Sequence, residues 1–391
     1  MPIYMDTGVH FLYPDCMKKH IWIGASVFVL ILGAFWFYER PEATPAIKIG
    51  ALLPLTGKLA SYGEDMRNAL TLANKELAES GKTYFNFVFE DSAADPKTAL
   101  SAARKLIEID NIPLIIGAPG SSANLAVAPV FEENKTLFFP LSNAPKLNDA
   151  GEYIFKVNPD IDVEIIRMAD YVKEQKFKHL AVLYDASNDV PTVGSALFRE
   201  LVTKSGATVV FFEGVDGKTV TDFRTQLTSI KKAAPDALYV IIADKLAGVV
   251  VRQARELGLA TPILGWSSFN AQEFFSGGGA HTEGVVITDQ PFSCDGTARM
   301  KEYCATYKAR FAERQPTLYG AEVYDLLYAF SEVLDGRSEI GQAEKALVQQ
   351  AFTGKTYDGV NEAMSFDEKG NVRIKEIVLR IAKDGKFVDL K

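Results

Sequence analysis

Two short apolar runs, Ile112–Gly117 and Thr136–Pro140, set the pattern from which the rest of the chain is read. Each has strand length and strand composition, and each leads into a small, polar turn, Gly120-Ser121-Ser122 and Ser142-Asn143-Ala144. Ala123–Glu132, between them, is long enough only for a short helix. The three pieces form a βαβ unit, so both turns emerge side by side at the carboxyl ends of parallel strands, the edge where open α/β sheets bind ligands. Ser121 and Ser122 open the following helix, where free N–H groups and the helix dipole favour a carboxylate or other anion. The plainer reading makes them N-caps and nothing more.

The same alternation runs on both sides. Ile47–Leu53 predicts a first strand, followed by a helix with a Ser61-x-x-Glu64 capping box and Tyr62, Met66, Ala69, Ala73 and Leu77 on the 3.6-residue period. Tyr84–Glu90 predicts a second strand, and Asp95-Pro96 opens a second helix. A further series places helices over 162–176, 192–205, 222–234 and 245–258 before the strands His179–Asp185, Thr208–Glu213, Ala237–Ala243 and Pro262–Gly265. Gly284–Thr288 closes it. Three helices follow, over Thr297–Glu313, Tyr319–Leu334 and Ile340–Phe352, and then short strands around the Asp367–Gly370 turn and at Ile374–Leu379. The fold class is α/β, with two doubly wound parallel-sheet lobes. Crossings near 158–160, 289–291 and 357–366 predict a three-stranded hinge. They give one lobe from 47–158 and 290–357, and another from 159–289 and 358–391.

The amino-terminal pattern differs. Ile21–Tyr38 is an uncharged run preceded by Lys18, Lys19 and His20, about the 17–25 residues that span a bilayer. It predicts one transmembrane helix or signal segment, with residues 1–20 in the cytoplasm, 39–46 as a linker and the body outside. The bulky Phe35-Trp36-Phe37-Tyr38 end and the poor cleavage match at Thr44-Pro45-Ala46 favour an uncleaved anchor. Met17 begins a signal-like MKKH, so residues 1–16 read as an upstream extension.

A net charge of −8 with no basic stripe argues against a nucleic-acid partner. The four histidines and three cysteines lack zinc-ligand spacing. Cys294 and Cys304 stand ten apart and, in an oxidising compartment, form either a disulfide or two unpaired thiols. Gly-x-Ser-x-Gly and G-x-x-x-x-G-K are absent, and Gly277-Gly278-Gly279 has no preceding strand. The sequence therefore predicts no enzyme and no cofactor.

Seven segments in order, IKIGALLPLTGKLASYGEDMRNALTLA, EDSAADPKTALSAARKLI, IIGAPGSSANLAVAPVFEE, FFPLSNAP, VVVRQARELGL, GAEVYDLLYAF and SFDEKGN, resemble the leucine/isoleucine/valine-binding type of periplasmic solute-binding protein. The resemblance covers about 47–390 and implies two lobes that close on a small ligand for import by the membrane permease subunits of an ABC transporter. A sensing ectodomain that signals through a membrane partner is the alternative. The resemblance places ligand contacts at Tyr62, Ser121, Ser122, Ser142, Asn143 and, in the last large helix pair, Tyr324. The second lobe departs from the family pattern. Ala186–Pro191 and Ile242-Ala243-Asp244 lack the usual aromatics, and Gly265-Trp266-Ser267-Ser268 has serine where a carboxylate holds the ligand's ammonium. Asp185, Asp189 and Asp244 are the charges the residues offer to a cation, with Trp266 as a stacking surface; the plainer reading makes the aspartates turn or helix caps and the tryptophan a packing residue.

Overall fold

In β1 (Ile47–Leu53) every residue except Lys48 is buried, the signature of a parallel strand covered on both faces. The computed structural model describes residues 46–390 apart from Ala118, Glu313, Glu362, Ile374 and Lys375. After β1 come α1 (Ala60–Glu79), β2 (Phe85–Asp91), α2 (Pro96–Arg104), β3 (Leu114–Gly117), α3 (Ser121–Glu133) and β4 (Leu137–Phe139). The four strands pair in parallel in the order β2-β1-β3-β4. β3 and β4 are buried throughout.

The chain then crosses to a second sheet. It begins with α4 (Ile161–Glu174), β5 (His179–Asp185), α5 (Asp189–Lys204), β6 (Thr208–Val215), α6 (Arg224–Ala233) and β7 (Ala237–Ile241). α7 (Asp244–Glu256), β8 (Ile263–Gly265), α8 (Gln272–Gly278) and β9 (Val286–Asp289) complete the run. Three helices return to the first lobe: α9 (Ala298–Arg310), α10 (Leu318–Val333) and α11 (Gln342–Gly354). Aromatic packing binds them there. Phe139 of β4 meets Phe330 of α10 at 4.7 Å and Phe352 of α11 at 5.0 Å between ring centres.

Several expectations need correction. β10 (Tyr357–Asp358), β11 (Ala363–Phe366) and β12 (Val372–Arg373) form their own three-stranded sheet. Met364 and Phe366 are buried in the first-lobe core, and Phe139 lies 6.4 Å from Phe366. The third crossing therefore follows Arg373 and does not lie at 357–366. Beyond it, β13 (Val378–Lys383) and β14 (Lys386–Asp389) join the second sheet, ordered β14-β13-β9-β8-β7-β5-β6. β13 runs antiparallel to β9, and β14 antiparallel to β13. The Ser61 capping box is not formed, because α1 already starts at Ala60 and Leu59 caps it without a side-chain bond. Asp95 does cap its helix, accepting from the N–H groups of Lys97 at 3.1 Å and Thr98 at 2.9 Å.

Cys294 and Cys304 are joined in a disulfide, with Cα atoms 5.7 Å apart. The apolar run 21–38 lies outside the described residues. Among the described residues no helix is long and apolar enough to cross a membrane, and no group of His, Cys, Asp or Glu is arranged to hold a metal.

Candidate functional site

The first wall of the groove between the lobes is built at the carboxyl ends of β3 and β4. Gly120, the N-cap of α3, has φ 130°, and a Cβ there would stand 3.2 Å from the Cβ of Ala94. Glycine makes this left-handed corner and starts α3 at Ser121. The N–H groups of Ser121 and Ser122 precede the first intrahelical donor, Ala123 N–H, which gives to the Gly120 carbonyl at 2.9 Å, and they point out of the helix end. Buried Ser142 donates its hydroxyl to Ser121 Oγ at 3.0 Å and accepts from the N–H of Ala144 at 3.3 Å. Asn143 uses its carbonyl to accept from Ile161 N–H at 3.0 Å, tying the corner to α4, while its side chain stays partly exposed. The structure thus brings Ser121, Ser122, Ser142 and Asn143 together.

Tyr62 reaches the same groove from α1. Gly63 lets the helix approach the chain closely, since a Cβ there would lie 2.1 Å from the carbonyl oxygen of Pro54. Tyr62 donates its hydroxyl across the groove to Asp244 Oδ1 at 3.1 Å. Asp244 opens α7 of the second lobe in the left-handed region, at φ 51°, and also accepts from Ser268 Oγ at 3.4 Å. Burial raises its carboxyl to about 6; Glu273 adds to the rise, while the Tyr62 bond and the Lys58 charge oppose it. The same burial, with Asp244 beside it, pushes the Tyr62 hydroxyl well above its ordinary range.

The aromatic partner of Tyr62 is Tyr319, with ring centres 5.2 Å apart and edge to face. Burial raises the Tyr319 hydroxyl, with Glu322, Asp244, Glu164 and Asp289 adding to the effect, so the acidic side chains around it come from both lobes and from the crossing strand. Tyr324 is a correction. Its hydroxyl donates to Glu76, its ring packs on Tyr303 at 4.8 Å and on Tyr328 at 5.0 Å, and it belongs to the first-lobe core. Five residues along an α-helix turn the side chain by about 140°, so Tyr319 and Tyr324 face different neighbours.

The other second-lobe expectations divide in the same way. Trp266 is 7% exposed and donates its indole N–H to the carbonyl of Ile242 at 3.2 Å, which makes it a packing residue. Asp189 stands at the exposed rim, 3.2 Å from Lys146 of the first lobe. At the corner without an acid, a carboxylate arrives from another element. Glu164 of α4 is fully buried and accepts from Ser267 N–H at 2.9 Å, Ser267 Oγ at 2.7 Å and Thr288 Oγ at 3.1 Å. Burial raises its carboxyl despite these donors. Asp289, at the second crossing, accepts from Asn270 at 2.7 Å and pairs with Arg380 at 3.4 Å. Burial lifts it to about 7 although Arg380 pulls the other way. Sequence reasoning passed over Tyr319, Glu164 and Asp289; the helix-opening Thr317-Leu318-Tyr319 was the signal available for the first.

Residues 46–386 match the model of the periplasmic binding protein family. The chain is 25% identical over 343 residues to the leucine-, isoleucine-, valine-, threonine- and alanine-binding protein of Pseudomonas aeruginosa, covering 86% of this chain and 90% of that one. It is 26% identical over 336 residues to the Leu/Ile/Val-binding protein of Escherichia coli K12, covering 84% and 88%. The leucine-binding protein of Thermotoga maritima superposes with a TM-score of 0.78 at 25% identity, covering 88% of this chain and 98% of that one. A solute-binding protein from R. palustris in complex with benzoate shares the fold, with a TM-score of 0.78 at 18% identity over 88% and 95%. These relatives are binding proteins, and this chain is likewise not an enzyme. The chain belongs to the periplasmic binding protein family, in its leucine/isoleucine/valine-binding type.

Proposed function

We propose that the chain captures a small carboxylate-bearing solute between its two lobes and delivers it to the membrane subunits of an ABC importer. The observations that carry this reading are the meeting of Ser121 and Ser142 at 3.0 Å on the helix-opening corner of the first lobe and the 3.1 Å bond by which Tyr62 of that lobe reaches Asp244 of the second. The first wall offers donors to a carboxylate, and the second offers an acid and tyrosines to the other end of the solute. Ser121, Ser122, Ser142, Asn143, Tyr62, Tyr319 and Asp244 form the binding set. Asp189 and Lys146 close the rim when the lobes approach. The body works outside the cytoplasmic membrane, as its family does, with residues 21–38 as the tether.

Two kinds of solute fit the first wall equally: an amino acid, whose ammonium needs Asp244, and an aromatic acid, which does not. Relatives of both kinds exist in name. Asp244 favours the amino acid, since an unpaired acid in a closed groove is costly.

A thermal-shift screen of amino acids, amides, short peptides and aromatic acids tests the proposal. A true ligand raises the melting temperature with concentration by mass action. Ser121→Ala with Asn143→Ala should weaken that response and leave the unliganded melting temperature nearly unchanged. An intact response in this variant contradicts the site.

A further inference from the structure

The first lobe carries a second cavity of about 480 Å³, well away from the groove, between α10 and the turn that follows α11. That volume falls within the roughly 300–1,000 Å³ of small-molecule sites. Its walls hold three cations, Lys82, Arg299 and Lys355. Lys355 is engaged, paired with Glu332 and set 5.2 Å from the ring centre of Tyr357. The Lys82 ammonium lies 6.0 Å from the ring centre of Tyr328 and has no hydrogen bond or ion pair among the described residues. Arg299 gives one N–H to the backbone carbonyl of Asp358 at 3.2 Å, and no described carboxylate lies within ion-pair distance of it.

The acids of the cavity are mostly served. Asp325 accepts from the N–H groups of Val360 at 2.7 Å and Asn361 at 3.4 Å, Glu332 holds Lys355, and Asp335 accepts from Thr83 at 3.5 Å. Asp358 is exposed at the edge. Tyr357 also lines the cavity; it is 5% exposed, its ring packs on Phe352 at 5.1 Å, and its hydroxyl is closed off from solvent. The surplus is therefore of donors, and it lies next to the face of Tyr328.

We propose that this cavity binds a small organic monocarboxylate, whose oxygens accept from Arg299 and Lys82 while its body lies against the Tyr328 ring. The planar guanidinium matches the two oxygens of a carboxylate. A phosphate dianion is disfavoured by the carboxylates that share the walls. The Cys294–Cys304 disulfide ties the chain before α9 to that helix, on either side of Arg299 in its first turn, and limits how far the guanidinium can leave the wall. This inference is independent of what the interlobe groove holds.

The test uses 4-fluorobenzoate as probe and fluorine NMR on the purified chain, with binding read by titration. Lys82→Ala with Arg299→Ala should weaken a saturable site by about tenfold or more, the loss of at least one charge-assisted hydrogen bond. The site should persist in Ser121→Ala with Asn143→Ala, and inorganic phosphate should fail to displace the probe. Four results would overturn the proposal: no saturable signal at millimolar probe, a signal indifferent to the Lys82 and Arg299 changes, loss of the signal only in the groove variant, or displacement by phosphate at equal concentration.

Discussion

The two walls of the interlobe groove solve different problems. The first-lobe wall is made of backbone N–H groups and small hydroxyls on two sheet-edge turns, where Ser142 and Ser121 hold each other at 3.0 Å. The second-lobe side carries carboxylates drawn from separate elements, Asp244 at the start of α7, reached across the groove by Tyr62, and the buried Glu164 of α4 and Asp289 at the crossing. A wall of backbone donors is fixed by the fold and keeps its character over the pH range in which proteins work. A wall of buried acids is set by side chains that titrate, and its charge depends on what pairs with it. On the proposed reading, the first wall fixes one end of the solute, and Asp244 on the second decides which solutes are accepted.

The strongest way to break this comparison is to neutralise the acid wall. Asp244→Asn keeps an acceptor for Tyr62 but removes the charge, so an ammonium-bearing solute should lose about 2–5 kcal/mol of binding free energy by calorimetry. An aromatic acid without an ammonium should bind as before. If both lose equally, Asp244 acts on closure and does not select the solute.

Next in size is pH. The carboxyl of Asp244 is raised to about 6, mainly by burial. In the unliganded chain its contribution to stability is fully present below the ordinary carboxylate range and is lost as pH rises through about 6, because the folded state binds the proton more tightly. A bound ammonium needs the ionised form. Affinity for such a solute should therefore fall as pH drops below about 6, by up to about tenfold per unit. Affinity for an aromatic acid should stay flat over the same window as long as the acid itself remains ionised.

A smaller effect sharpens the first wall. Ser142→Ala removes the bond to Ser121 and should cost about 1 kcal/mol of binding for either class of solute. Smallest for binding is Trp266→Phe, which loses the indole bond to Ile242 and should lower stability by about 0.5–1.5 kcal/mol in denaturant titration while leaving affinity unchanged.

How legible each wall was follows from this difference. The serine corners were readable because a βαβ unit dictates where its turns emerge, whatever fills the rest of the chain. Asp244 was readable as a charge at a helix start, but its bond to Tyr62 joins residues 182 apart, and local pattern says nothing of such pairs. Tyr319 and Tyr324 both suit a cleft aromatic by composition, and only the packing of α10 against α1 decides which faces the groove. The segment 357–373 reads as short strands, but its membership of the first lobe rests on Phe366 meeting Phe139 and Phe352, distant in sequence. One local signal did go unused. Asp384 and Gly385 both have positive φ, and the Asp-Gly pair turns β13 into β14 as a tight hairpin.

The most direct test of the unlike walls is a crystal structure of the chain with its highest-affinity solute from the thermal-shift screen. The account predicts carboxylate oxygens within hydrogen-bonding distance of the Ser121 and Ser122 N–H groups or the Ser142 and Asn143 side chains, with the opposite end of the solute against Asp244, Tyr62 and Tyr319. A solute in the reverse orientation, or one seated outside the groove with the serine corner untouched, would contradict it.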